Sequence, residues 1–276
     1  MPRNSLRSFA TQVREIILQQ SKKAHVGHIG SSLSIVDILS VLYSQVLHIE
    51  STNDPDRDRF ILSKGHAALA LYAALYLKGW ISQELLETYC QDNTLLGVHP
   101  ERALAGVDFG TGSLGMGVSY ATGAALAARL QKSSRRVFVL ASDAECNEGI
   151  VWEAAMLAAH HQLANLFLLI DLNSQQALGY TRNVLDLAPL AQKWQAFGWD
   201  VHQINGHDGN EIVDAIQSGT KNTRQPHAII ARTTFGKGVS FMENQIKWHY
   251  WPMNEEEFSL AMREIRNEKS IYSISD

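Results

Sequence analysis

A chain of 276 residues with 24 Lys and Arg against 28 Asp and Glu, net charge −4, is close to charge balance and has no basic block, which excludes an electrostatic nucleic-acid surface. Its apolar runs are far too short to span a bilayer. Its two cysteines, Cys90 and Cys146, give neither a disulfide framework nor zinc spacing, so the expected compartment is a reducing cytoplasm.

The length suits one large α/β domain, or at most two small ones. The N-terminal stretch MPRNSLRSFATQVREIILQQ lacks the apolar core of a signal peptide. Its Leu6, Phe9, Val13, Ile16 and Ile17 recur at helical spacing, so an amphipathic helix is expected over about 4–21. Further helical patterns cover about 34–47, 66–79 and 82–91. The glycine-rich GTGSLG, Gly110 to Gly115, then opens a helix of small residues over about 114–131. The apolar run RVFVLASD, 136–143, reads as a strand and ends in a cluster of acids, Asp143, Glu145 and Glu148. A helix over about 149–162 leads to the strand LFLLIDLN, 166–173. Helices over about 188–197 and 208–218 alternate with the strands DVHQIN, 200–205, and HAIIARTT, 227–234. After about 254 a charged helix is followed by NEKSIYSISD, 267–276, expected as a loose tail behind a single domain of residues 1–266. No internal repeat or low-complexity linker interrupts the chain.

Continuous apolar strands alternating with helices imply a doubly wound, mostly parallel α/β sheet covered on both faces. Ligands of such sheets bind outside the carboxyl ends of the strands. Asp143 and Asn173 both fall at such ends, thirty residues apart, the length of one strand–helix–strand unit. A carboxylate, an amide oxygen and a free backbone carbonyl suit Mg²⁺ or Ca²⁺ that also binds phosphates. The same residues equally suit a helix cap at Asp143 and a turn at Asn173. GTGSLG matches the G-x-G-x-x-G pattern of dinucleotide-binding proteins, but no clean strand precedes it and Arg135 and Arg136 stand where an acid is needed. Its glycines suit either the approach of backbone amides to a phosphate or close helix packing by Gly112, Gly115, Gly117 and Gly123.

The stretch SDAECNEG…VWEAAMLAAHHQLANLFLLIDLN resembles the thiamine diphosphate motif of transketolases, which runs from Gly-Asp-Gly to a downstream Asn. GHIGSSLSIVDILSVLY, DRFILSKGHAALALYA, VHPE, GTGSLGMGVSYATGAALAARL, PLAQKWQAFGWDVHQINGHD and GKGVSFMEN resemble transketolase segments in the same order, over about residues 5–251. The similarity is to the amino-terminal, diphosphate-binding half, and the chain looks like the N-terminal subunit of a split transketolase. The resemblance implies the thiamine-diphosphate-binding fold, with thiamine diphosphate and Mg²⁺ (or Ca²⁺) as cofactors. It implies Asp143, Asn173 and the backbone carbonyl of Gln175 as metal ligands. Gly112, Ser113, Leu114, Ala144 and His66 would contact the cofactor. His28, His66, His99 and His249 match histidines that touch diphosphate or substrate hydroxyls, His249 less closely than the others. The implied activity is transfer of a two-carbon ketol unit from a ketose to an aldehyde or aldose acceptor. The partners implied are sugar or sugar-phosphate substrates and a separate C-terminal subunit carrying the pyrimidine-binding half, in an α2β2 assembly, with no nucleic acid and no membrane. On this reading the chain is inactive alone.

The sequence also departs from the family pattern. Gly-Asp-Gly is Ser142-Asp143-Ala144, Ser174 follows Asn173 where many relatives have Gly, and Met116 replaces a usual Gln. Phe235 stands where relatives often carry Lys, Tyr250 replaces the Gly of a Trp-His-Gly segment, and VHPE replaces GHPE. These changes imply an unusual ketol donor or acceptor. The alternatives are a non-catalytic subunit with a decayed cofactor site and, more distantly, a Rossmann-type oxidoreductase.

Overall fold

The structure, a computed structural model, describes residues 3–272. Five strands form one parallel sheet: β1 (Arg59–Leu62), β2 (Val137–Ser142), β3 (Leu166–Leu172), β6 (Asp200–Asn205) and β7 (His227–Arg232). Their order across the sheet is β1-β2-β3-β7-β6. A separate two-stranded antiparallel ribbon pairs β4 (Gln175–Gln176) with β5 (Gly179–Tyr180) just after β3. The helices are α1 (Arg3–Ala24), α2 (Ile29–Ser34), α3 (Val36–Val41), α4 (Ala68–Leu77), α5 (Gln83–Leu86), α6 (Met116–Leu130), α7 (Gly149–His160), α8 (Thr181–Val184), α9 (Leu190–Ala196), α10 (Gly209–Lys221), α11 (Lys247–Tyr250) and α12 (Glu255–Tyr272).

The expected doubly wound arrangement is present, and its cause lies in the strand residues. Successive side chains of a strand point to opposite faces. Phe138 and Leu140 of β2 therefore join one core with α1, α3, α4, α10 and α12, through residues such as Ile17, Leu39, Leu71, Ile216 and Ala261. Val137, Val139 and Ala141 join a second core with α6, α7 and α9, through Ala121, Ala155 and Trp194. Because both faces are covered, every residue of β2 is buried, and the strand reads as a continuous apolar run. Strand β6, at the sheet's edge, is only partly covered and more polar.

The departures are local. The expected helix over 34–47 is α3 followed by a π-helical turn at Leu42–Val46, with the short α2 set before it. The expected helix over 82–91 is only the short α5, capped by the Ser82 hydroxyl accepting from the Leu85 amide. Strand β1 was not expected from the sequence. It has four residues and follows a charged turn, and apolar runs that short carry no usable period. The segment 267–276, expected as a loose tail, continues α12 as far as Tyr272, while 273–276 lie outside the described residues.

Candidate active site

The carboxyl ends of four adjoining strands meet at one edge of the sheet and release Lys64 after β1, Asp143 after β2, Asn173 after β3 and Thr233 after β7. The register Ser142↔Asp171 sets β2 beside β3, so the turn after Asn173 lies against Asp143. The Ser174 amide donates to Asp143 Oδ2 at 2.9 Å, and the Ala144 amide donates to Oδ1 at 2.9 Å. The Gln175 amide donates to Asn173 Oδ1 at 2.9 Å. The sequence spacing thus does bring Asp143, Asn173 and Gln175 to one place. The cap and turn bonds are also present, and each oxygen retains acceptor capacity. Asp143 is fully buried, and burial, with the Asp171 carboxylate second, pushes its acid up to about 7. It forms no ion pair within the described residues, so a bound cation would favour its charged form. Among the described residues no group of three His, Cys, Asp or Glu side chains is placed to hold a metal ion by itself. A cation here would therefore take one carboxylate, amide and backbone oxygens, and oxygens of a bound phosphate, which is how Mg²⁺ is commonly held.

Three imidazoles form a triangle nearby, with ring centroids 5.5 Å apart for His28–His66, 5.3 Å for His28–His249 and 5.6 Å for His66–His249. His28 sits at the N-terminus of α2 with φ 60°, and its amide donates to the His249 carbonyl at 3.1 Å, tying α2 to α11. Burial first, and then Lys64 and the neighbouring imidazoles, favours the neutral form of all three. His28 and His66 are lowered, His66 strongly, and His249 falls to about 4. Neutral imidazoles each offer one donor and one acceptor, which suits hydroxyl recognition and proton transfer. His99 stands on an exposed loop close enough to lower His28 and His66 further, and its ring would be 3.1 Å from a Cβ placed on Gly112. The buried His28 Nδ1 and both side-chain polar atoms of Gln175 have no hydrogen-bond partner. Buried polar atoms are normally paired, so these are places for a polar ligand.

The glycine loop is held by a carboxylate that sequence reasoning left without a role. Glu145 Oε1 accepts from the Gly115 amide at 2.8 Å and from the Ser63 hydroxyl at 2.6 Å, and Oε2 accepts from the Ser142 amide at 2.8 Å. It fastens the start of α6 to the ends of β1 and β2. Gly115 has φ 81°, which favours glycine, and a Cβ on Gly117 would lie 2.5 Å from Ser63. Gly123 meets nothing within 4 Å, so the small-residue pattern mixes a necessary contact with an idle one. Gly112, Ser113 and Leu114 are exposed on this loop. Glu148 occupies the N-cap position of α7 but makes no side-chain cap bond.

Of the unusual residues, Ala144 keeps a negative φ in a 3-10 turn, so its methyl group meets no backbone penalty. Phe235 is buried against Gly30 and lies parallel to the His249 ring at 6.2 Å. Tyr250 is 57% exposed at the rim, 4.7 Å edge-on from His249. Sequence reasoning also missed the buried Lys64–Asp171 pair, Nζ to Oδ2 at 2.5 Å, because neither residue stands out by spacing. A cavity of about 540 Å³ opens elsewhere, beneath the excursion after β3, lined by Ser174, Thr181, Arg182, Asp186, Gln203 and Arg232, and includes none of the histidines.

Residues 6–274 match the family model described as transketolase, thiamine diphosphate binding domain. The chain is 41% identical, over 95% of its length and 97% of the relative's, to 6-deoxy-6-sulfo-D-fructose transketolase subunit SqwG of Clostridium sp. (strain MSTE9). It is 38% identical, over 91% of its length and 90% of the relative's, to an apulose-4-phosphate transketolase subunit of Phocaeicola vulgatus. Among solved structures, the transketolase of Campylobacter jejuni superposes with a TM-score of 0.90 at 34% identity, over 96% of this chain and 43% of that one. The chain thus spans nearly all of the subunit-named relatives and less than half of the solved transketolase.

Proposed function

The chain belongs to the transketolase family, in its thiamine diphosphate-binding domain, and from that premise we propose that it is the N-terminal subunit of a two-subunit, transketolase-type transferase. The observation that carries this reading is the meeting of Asp143 and Asn173 at adjoining strand ends beside three neutral imidazoles. Those residue types fit a diphosphate held through a divalent cation on one side and a polyhydroxylated substrate on the other. The negative φ of Ala144 supports an intact cofactor site over a decayed one.

When bound, thiamine diphosphate supplies the chemistry that carries a two-carbon ketol unit from a ketose donor to an aldehyde or aldose acceptor. The chain's own residues do the rest. Asp143, Asn173 and the Gln175 carbonyl hold Mg²⁺ or Ca²⁺. The exposed loop of Gly112, Ser113 and Leu114, with Ala144, lines the cofactor, and Glu145 keeps that loop in place. His28, His66 and His249 orient substrate hydroxyls and move protons between them, and the exposed His99 meets the donor's far end. Burial keeps the three imidazoles uncharged near neutral pH, so each offers one hydrogen-bond donor and one acceptor to a substrate hydroxyl.

The partner is a separate C-terminal subunit carrying the pyrimidine-binding half, in an α2β2 complex. Relatives matched over nearly their whole length include proteins named as transketolase subunits, which supports a separate partner subunit. So do Leu178, Tyr180, Val184 and Leu185, large apolar side chains exposed together on the excursion after β3. A specialised sugar or sugar-phosphate donor fits the altered rim at Phe235 and Tyr250. Among the described residues no helix is long and apolar enough to cross a membrane. The free thiols Cys90 and Cys146 fit a cytoplasmic home. Reconstitution with the partner tests the proposal. Ketol transfer should appear only with both subunits and should be lost in Asp143→Ala together with metal-dependent cofactor affinity. Turnover by the purified chain alone would refute the two-subunit reading, and unchanged cofactor affinity in Asp143→Ala would refute the metal assignment.

A further inference from the structure

Beneath the site lies a charge pair that the mechanism above does not use. Lys64 and Asp171 are both fully buried, with 0% exposure of each side chain, and lie 2.5 Å apart. Buried ion pairs are poor stabilisers, because desolvation offsets their attraction, so their retention calls for another reason. Asp171 is a hub. Its Oδ2 accepts from Lys64 Nζ, from the Ser34 hydroxyl at 2.8 Å and from Asn173 Nδ2 at 2.9 Å, and its Oδ1 accepts from the Thr233 hydroxyl. These partners come from the end of α2 and from the residues just after β1, β3 and β7, which converge on the site.

The decisive detail is the side-chain amide of Asn173. An amide can turn over and exchange its oxygen with its nitrogen unless its neighbours discriminate between them. Here they do so on both sides. A carboxylate can only accept, so the group facing Asp171 must be the Asn173 nitrogen. The Gln175 backbone amide can only donate, so the group facing it must be the Asn173 oxygen. The Lys64 ammonium donates to the same Asp171 Oδ2 at 2.5 Å and holds that carboxylate in place. The same ammonium disfavours a second positive charge on His28, His66 and His249.

We propose that the Lys64–Asp171 pair is a positioning device that locks the Asn173 amide with its oxygen toward the cation site. The inference rests on the reading of Asp143 and Asn173 as metal ligands. Neither Lys64 nor Asp171 touches the cation; they act through Asn173. Replacing the carboxylate by an amide of the same shape would remove the discrimination on that side, because an amide offers both a donor and an acceptor, and would leave the Gln175 amide alone to set the orientation. With one constraint gone, a fraction of Asn173 would turn over and present its nitrogen, which repels a cation, so the affinity falls.

The test uses the complex of both subunits with thiamine diphosphate and Mn²⁺, with free Mn²⁺ read by electron paramagnetic resonance and folding by thermal melting. Asp171→Asn should melt cooperatively and lose about 10- to 100-fold in Mn²⁺ affinity, the usual effect of losing a partner that orients a ligand. A folded Asp171→Asn complex that binds Mn²⁺ as the unaltered complex does would overturn the proposal. If that variant fails to fold, the double replacement Lys64→Met with Asp171→Leu removes both charges together and leaves neither unpaired. It should fold and show the same loss, and normal Mn²⁺ affinity in it would overturn the proposal. Absence of Mn²⁺ binding by the unaltered complex would overturn the metal-site reading itself, and this inference with it.

Discussion

Ser174 has φ 63°, directly after Asn173, and its amide donates to Asp143. A side chain in the left-handed region costs on the order of 1 kcal/mol, and glycine removes that cost. Ser174→Gly should therefore raise the melting temperature by roughly 2–4 °C and leave the Asp143 contact in place. A lower melting temperature would show that the serine side chain contributes more than its backbone costs. His249 argues at the same scale. Its imidazole has an ordinary value of 6.5 and falls to about 4 in the fold, through burial first and the neighbouring His28 and Lys64 next. As pH drops below 6.5 the unfolded chain takes up the proton while the folded histidine stays neutral, so stability declines between 6.5 and about 4. His249→Phe, which keeps a ring there, should make the loss of melting temperature over that window shallower. An unchanged slope would assign the acid limb to other groups. That Asp143 and Asn173 meet was legible from strand spacing, whereas a metal role rests on the family resemblance, because the residue types suit a cap and a turn as well. The charge hub at Asp171 was not legible, because a buried partner becomes visible only when β1, α2 and β7 are assembled around it.

Two glycines show how elements are held at the site. A Cβ on Gly27 would lie 2.3 Å from the Tyr250 carbonyl oxygen, so the chain before α2 touches the backbone of α11 directly. Gly27→Ala should force these elements apart, destabilise the fold by about 1–3 kcal/mol and weaken cofactor binding through displacement of His28 and His249. Gly123 lies within α6 with open space around it, and Gly123→Ala should stabilise the chain by roughly 0.5–1 kcal/mol with cofactor affinity unchanged. Thermal melts of the two variants should move in opposite directions; parallel shifts would refute this assignment of contacts. The long helices and the four apolar strands were legible because each carries a period or an unbroken run. α11 and the β4–β5 ribbon were not, because each is at most four residues long and is set by tertiary contacts such as the Gly27–Tyr250 approach.

For the whole molecule, the doubly wound sheet explains why the site lies where it does. Continuous apolar strands require helices on both faces, and that leaves the carboxyl edge as the place where polar side chains gather. The fold class could be read from that pattern alone. The family could be read from ordered motifs running along most of the chain, and not from GTGSLG, whose glycines equally suit a nucleotide fold or plain packing. The central claim is that cofactor and cation bind where this chain meets a second subunit. Calorimetric titration of thiamine diphosphate with Mg²⁺, on this chain alone and on its complex with the C-terminal subunit, tests it most directly. Tight, Mg²⁺-dependent binding to the complex and none to the chain alone is the expected result. An intact complex that takes up no thiamine diphosphate would contradict it.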